Sequence, residues 1–217
     1  MTERVVRIFS RFERFWHWAQ MVLIFALMLS GFRVSGLHDG LDFETAVTLH
    51  MVSALALIVL WAFSIFWHMT TGTWRHYIPT SKGLIAVARF YMWGIFKGER
   101  HPYRKAFWRK HNPLQALTYL MLKVLLFPAI WVTGLLYLGY SLWEDLPNSA
   151  DLLWAIAGVH VIVAFMIAAF VIAHVYLLTV GPSFSEHVAP MITGFDKIDL
   201  TPEEEAYLEA DEPDSLK

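Results

Sequence analysis

Four long apolar stretches constrain this chain more than any other feature. They lie at about residues 15–36, 45–68, 114–139 and 152–180. A helix needs roughly 20 apolar residues to cross a hydrocarbon core, and each stretch meets that length. Hydrophobic residues make up 57% of the chain and charged residues only 17%, against about 25% charged in ordinary soluble domains. A soluble domain cannot hide that much apolar surface. The sequence therefore predicts an all-α membrane protein, a four-transmembrane-helix bundle. Pro128 inside the third stretch predicts a kink, which membrane helices tolerate. The first stretch is too long for the core of a signal peptide and lacks a small-residue cleavage pattern, so it reads as a retained helix.

The charges between the stretches are sorted by sign. Arg4, Arg7, Arg11 and Arg14 precede the first. Arg75, Lys82, Arg89, Lys97, Arg100, Arg104, Lys105, Arg109 and Lys110 lie between the second and third. The other two connections hold no Lys or Arg, only acids such as Asp39, Asp42, Glu44, Glu144, Asp145 and Asp151. Basic loops stay on the cytoplasmic side, so both termini and the long connection are expected inside. The chain is expected to sit in a membrane with these basic segments on its cytoplasmic face. Within the long connection, apolar residues recur at helical spacing from Pro79 to Lys97, predicting an amphipathic helix on the inner surface. The membrane domain is expected over residues 1–198 and an acidic cytoplasmic tail over 199–217. Thr201-Pro202-Glu203-Glu204-Glu205 reads as a capped helix start, and the rest of the tail is expected to be solvated and mobile.

Cysteine is absent and histidine occurs ten times. The first fact removes thiolate metal sites, cysteine-ligated iron–sulfur clusters and covalent haem attachment within the chain. The second invites a search for ligands, because ionisable groups inside a membrane helix are costly and mark function. His160 and His174 share the fourth stretch, 14 residues apart. At 3.6 residues per turn they project from nearly one face, about 21 Å apart along the axis. His50 opens the second stretch at the depth of His160. His17, in Trp16-His17-Trp18, matches the depth of His174, and so does His68 at the inner end of the second stretch. Two imidazoles on opposite sides of a ring describe a six-coordinate haem b, with no open iron site for a substrate. Any one of these histidines is equally well read as hydrogen-bonding across helices; four at paired depths are not. His38, His76, His101 and His187 lie in connections and read as surface residues.

The run Arg11-Phe12-Glu13-Arg14-Phe15-Trp16-His17-Trp18, with Ser30-Gly31-Phe32, Leu49-His50, the 14-residue histidine spacing and His174-Val175-Tyr176, resembles the dihaem cytochrome b subunits of membrane-bound nickel–iron hydrogenases, formate dehydrogenases and thiosulfate reductases. Bacterial cytochrome b561 belongs to the same family. The resemblance spans about residues 4–195. It implies haem-iron ligands at His17, His50, His160 and His174, two haem b groups, and electron transport to or from a quinone (menaquinone or ubiquinone) in a respiratory chain. It is the resemblance, not geometry, that favours His17 over His68. The formate dehydrogenase type carries an Asn-x-x-Gln motif at its quinone site, matched here by Asn112-Pro113-Leu114-Gln115. The same residues also read as a helix N-terminus, with Asn112 as cap and Pro113 at the first position. Arg33 has two readings, a haem propionate partner or a side chain snorkelling to the surface. Lys123 has no assignment.

The resemblance implies the electron-transfer subunit of an oxidoreductase complex. Its partners would be an outward-facing iron–sulfur or multihaem cytochrome protein with a catalytic subunit, together with membrane lipid and quinone. No nucleic-acid partner is expected. The alternatives are a stand-alone cytochrome b561-type quinone oxidoreductase acting on a small molecule, and a non-redox anchor or transporter whose histidines relay protons.

Overall fold

A computed structural model describes residues 2–99, 101–103, 107, 110–179 and 183–216. Arg100, Arg104, Lys105 and Arg109 of the basic connection, and the expected end of the fourth stretch at 180, lie outside these. Four helical segments are long and apolar enough to cross a membrane: Arg11–Val34, Phe43–Thr71, Pro113–Leu138 and Ser149–Leu178. The first two are α1 and α2. After them come α3 (Leu84–Arg89) and the third crossing, built from α4 (Pro113–Met121), a π turn (Leu122–Leu126) and α5 (Phe127–Leu138). The fourth crossing is α6 (Ser149–Leu178). The π turn ends two residues before Pro128, which lacks an N–H and crowds the carbonyl four residues back. A wider turn relieves both problems.

The chain divides into two compact units. One comprises Gln20–Phe63 and Tyr119–His174. Its interior holds Leu57, Trp61, Leu122, Leu126, Phe127, Ile156, Val163 and Ile167. Large apolar residues such as Val22, Val59, Val132, Ile162 and Ile172 are exposed. An apolar exterior of this extent suits lipid and not water. At the start of α2, Asp42 accepts from the Thr45 N–H (3.1 Å) and hydroxyl (3.3 Å), satisfying donors that the helix leaves open.

The other unit comprises Met1–Ala19, Ser64–Thr118 and Val175–Lys217. The amphipathic segment expected from Pro79 to Lys97 appears as α3, continued by a π turn (Phe90–Gly94) and a 3-10 turn (Ile95–Lys97). Val87 and Phe90 are buried on one side, while Ile85, Met92, Trp93 and Phe96 are exposed. The helix α7 (Phe184–Thr193) follows the last crossing.

Two features depart from the sequence reading. First, the unit contains a two-stranded antiparallel sheet beside its helices. Strand β1 (Thr2–Arg7) pairs with β2 (Phe195–Leu200) from Thr2↔Leu200 to Arg7↔Phe195. Second, the tail is packed, which corrects the expectation of a mobile one. The helix α8 (Pro202–Asp211) begins with the expected capping box between Thr201 and Glu204. Its Leu208 is fully buried with Val6, Phe107, Ile198 and Leu200. Each segment alone offers too few apolar residues to form a core; only together do they enclose one.

Candidate haem site

In the first unit described, His50 on α2 and His160 on α6 face one another. Their ring centroids lie 6.3 Å apart with planes inclined by 65°. Each ring is held from behind by a hydroxyl. The Ser30 hydroxyl donates to the Ala26 carbonyl (2.7 Å), and the Thr133 hydroxyl to the Ala129 carbonyl (2.7 Å). A hydroxyl has one hydrogen, so each must accept from its histidine. Thus His50 Nδ1–H donates to Ser30 (3.1 Å) and His160 Nδ1–H donates to Thr133 (3.0 Å). This network assigns the proton to Nδ1 and leaves the Nε2 lone pair of both rings for a metal, as when a metal-binding histidine donates its other ring N–H to a neighbouring oxygen.

A glycine follows each hydroxyl residue. A Cβ on Gly31 would lie 3.1 Å from His50 Cε1, and one on Gly134 would lie 3.1 Å from His160 Cε1. The pair Ser30-Gly31 on α1 therefore serves His50 as Thr133-Gly134 on α5 serves His160. The sequence reading had singled out Ser30-Gly31-Phe32 and missed Thr133-Gly134. The available signal was the repeated hydroxyl–glycine pair inside an apolar stretch.

The arrangement fits a haem b whose iron both rings would hold. A ring nitrogen holds a metal at about 2 Å, so imidazoles on opposite sides of one metal have centroids roughly 6 Å apart. The observed spacing meets that. Nearby, Phe32 and Phe165 stack at 6.0 Å, an aromatic wall of the kind a flat apolar ligand needs. No cluster of three or more His, Cys, Asp or Glu side chains suited to another metal occurs among the described residues.

The other expected residues are placed as follows. His174, on α6, stacks on Phe170 (5.7 Å, planes 18° apart), and Phe170 meets the edge of Tyr119 (6.0 Å). His17 belongs to the other unit, with its ring edge-on to Trp18 (5.3 Å). His68 is buried there among Trp16, Trp67 and Tyr77, at 5.5, 5.0 and 5.4 Å. Its Nδ1–H donates to the Ser64 carbonyl (2.7 Å). The Arg33 guanidinium donates to the Leu41 carbonyl (2.7 Å), approaches Asp39 (3.4 Å) and lies over Phe43, tying down the connection after α1. His38 is also structural, bonding the Leu29 carbonyl (2.9 Å) and accepting from Gly40 N–H (3.0 Å).

Asn112 and Gln115 form a reciprocal cap at the start of α4. Gln115 N–H donates to Asn112 Oδ1 (2.9 Å), and Asn112 N–H donates to Gln115 Oε1 (3.1 Å). Asn112 Nδ2 donates to the Tyr91 hydroxyl (3.2 Å). The cap engages both amide oxygens. What remains is a set of donors: Gln115 Nε2, the second Asn112 Nδ2 hydrogen and the Tyr91 O–H. Burial pushes the Tyr91 phenol above its ordinary pKa, so it keeps its proton at neutral pH.

A further cluster in this unit was not anticipated. Glu13 is buried at the start of α1, where it and Ser10 form a capping box. The Glu13 carboxylate accepts from Lys110 Nζ (2.6 Å) and from the Tyr77 hydroxyl. Lys110 is itself nearly enclosed, between the rings of Phe9 and Tyr77.

Four apolar crossings with an opposed imidazole pair among them suit a membrane b-type cytochrome. Comparison with known proteins agrees. Residues 8–194 match the family described as prokaryotic cytochrome b561, and the chain belongs to that family. A relative is the Escherichia coli (strain K12) protein named "Putative cytochrome YdhU", 28% identical over 197 residues that cover 88% of this chain and 75% of the relative. No solved structure matches. The chain is thus a multi-pass membrane cytochrome of the b561 type, a family that implies haem b and electron transfer.

Proposed function

We propose that the chain carries electrons between an outward-facing redox partner and the quinone pool of a prokaryotic cytoplasmic membrane, using two haem b groups. Haem b supplies reversible one-electron transfer when bound. The observation that carries this reading is the His50–His160 pair, held with both Nε2 lone pairs presented. Ser30 and Thr133 fix the rings, and Gly31 and Gly134, with no Cβ, let the rings pack close against their helices. His174 would hold the second haem as one ligand. The family resemblance makes His17 the other, with His68 as its competitor. His50 and His160 would hold one haem through Nε2, and the part of this chain's own residues is to bind and position it.

For the quinone, the proposal rests on Asn112, Gln115 and Tyr91. Reducing a quinone to a quinol takes two electrons and two protons, and negative charge develops on the carbonyl oxygens. A face that offers several donors favours that charge. With the termini and basic connection in the cytoplasm, these protons come from inside. The absence of cysteine means that any iron–sulfur cluster belongs to a partner subunit.

A pyridine haemochrome assay on purified protein tests the count, and two b haems per chain are expected. His50→Ala and His160→Ala should each remove the same one. His174→Ala should remove the other, together with His17→Ala. Loss in His68→Ala with retention in His17→Ala would reassign that ligand. Isolation of a chain fully active alone on a small reductant would favour the stand-alone b561-type reading. A haem-free protein would leave only the anchor or transporter.

A further inference from the structure

Lys123 is a cation inside a membrane crossing, and nothing above uses it. It sits on the π turn Leu122–Leu126, an insertion in a helix that is often found at functional sites. Its Nζ lies 5.9 Å from the centroid of the Trp61 ring, on a neighbouring crossing. Trp61 is buried and packs on Phe127 (5.0 Å) and Trp131 (5.8 Å), so the Lys123 ammonium is directed into the helix bundle and not toward lipid.

Two independent counts give its depth within this unit. Lys123 precedes Thr133, the partner of His160, by ten residues, or about 15 Å of helix. Trp61 follows His50 by eleven residues, about 16 Å along α2. His174 lies fourteen residues beyond His160 on α6, about 21 Å away. The ammonium therefore lies between the level of the His50–His160 pair and the level of His174, nearer the latter. Side-chain contacts agree. Tyr119, one turn from Lys123 on the same helix, touches Phe170, which stacks on His174.

A charge in a medium of low permittivity acts strongly over several ångströms. Adding an electron to a ferric haem lowers its net charge by one, so a nearby cation favours the reduced form. We propose that Lys123 is a positioning charge that raises the reduction potential of the haem at the His174 level relative to the one held by His50 and His160. It gives electron flow along α6 a direction, toward His174. This rests on the two-haem reading given above.

The test is a redox titration of haem absorbance in purified full-length protein, comparing wild type with Lys123→Met, Lys123→Gln and Lys123→Arg. The component that survives in His160→Ala identifies the His174-level haem. Both neutral variants should shift that component to lower potential and leave the other in place, with unchanged absorption spectra. Lys123→Arg should titrate close to wild type. Wild-type potentials in both neutral variants would overturn the proposal. Loss of the His174-level haem from both, with retention in Lys123→Arg, would also overturn it, by making Lys123 a residue that retains haem. A wild-type protein with one haem per chain and one redox component would defeat the two-haem reading itself, and the proposal with it.

Discussion

Removing the hydroxyl behind a proposed ligand histidine separates orientation from ligation. Ser30→Ala and Thr133→Val keep both histidines but leave Nδ1–H of one ring without its acceptor. Loss of such a hydrogen-bond partner behind a metal-binding histidine typically costs about 10–100-fold in metal affinity. Each variant should therefore show weaker haem retention at one site, read as the haem-to-protein ratio after dilution or competition with an apo haem-binding protein. Gly134→Val should empty that site, because a Cβ alone already stands 3.1 Å from His160 Cε1 and the two methyls crowd it further. Glu13 and Lys110 make a different case. Breaking a buried ion pair from one side leaves a charge uncompensated, at about 3–5 kcal/mol. Lys110→Met should lower the thermal midpoint markedly, and the double change with Glu13→Gln should recover much of the loss. If the double variant is no more stable than the single, the pair is not coupled as the 2.6 Å contact implies.

At the scale of elements, the terminal strands and α8 stand or fall together. Leu208→Ala removes a fully buried side chain from a small core. Large-to-small changes of this type cost about 2–5 kcal/mol, more than a two-stranded sheet holds by itself. Hydrogen exchange should accelerate across both 2–7 and 195–200, while α2 and α6 stay protected. Loss of protection in the tail alone would show that β1 does not depend on α8. The start of α2 has a pH dependence of known sign. The Thr45 N–H holds the Asp42 carboxyl below its ordinary range. Its support for α2 is present at neutral pH and is lost as pH falls through that lowered value. Asp42→Asn should flatten any acid-side change in fraying at residues 43–46, measured by exchange.

For the whole molecule, the charge sorting predicts that reporter fusions at both termini and within 98–110 read cytoplasmic, and that fusions at 38–41 and 144–148 read external. The described structure adds a physical reason for the termini to agree. β1 and β2 pair along their full length, so the two ends of the chain must lie on the same side. A fusion result with opposed termini would be incompatible with that sheet.

Much of this protein is legible from local pattern. Crossing helices satisfy their own backbone hydrogen bonds, so length and apolarity are enough to place them, and the observed spans begin and end close to the expected ones. The Thr201–Glu204 capping box is equally local. Helix periodicity also puts His160 and His174 on one face without any knowledge of neighbours. Tertiary structure alone decided the rest, because it depends on which distant segments meet. It brought Thr133 behind His160 and Ser30 behind His50, and so fixed which ring nitrogen carries the proton. It spent the oxygens of Asn112 and Gln115 on a cap and left their donors. It joined residues 2–7 to 195–200 around Leu208, a core that no single segment contains. Sequence determines what each helix can do by itself; only packing determines which polar atoms are already taken, and chemistry depends on those left over.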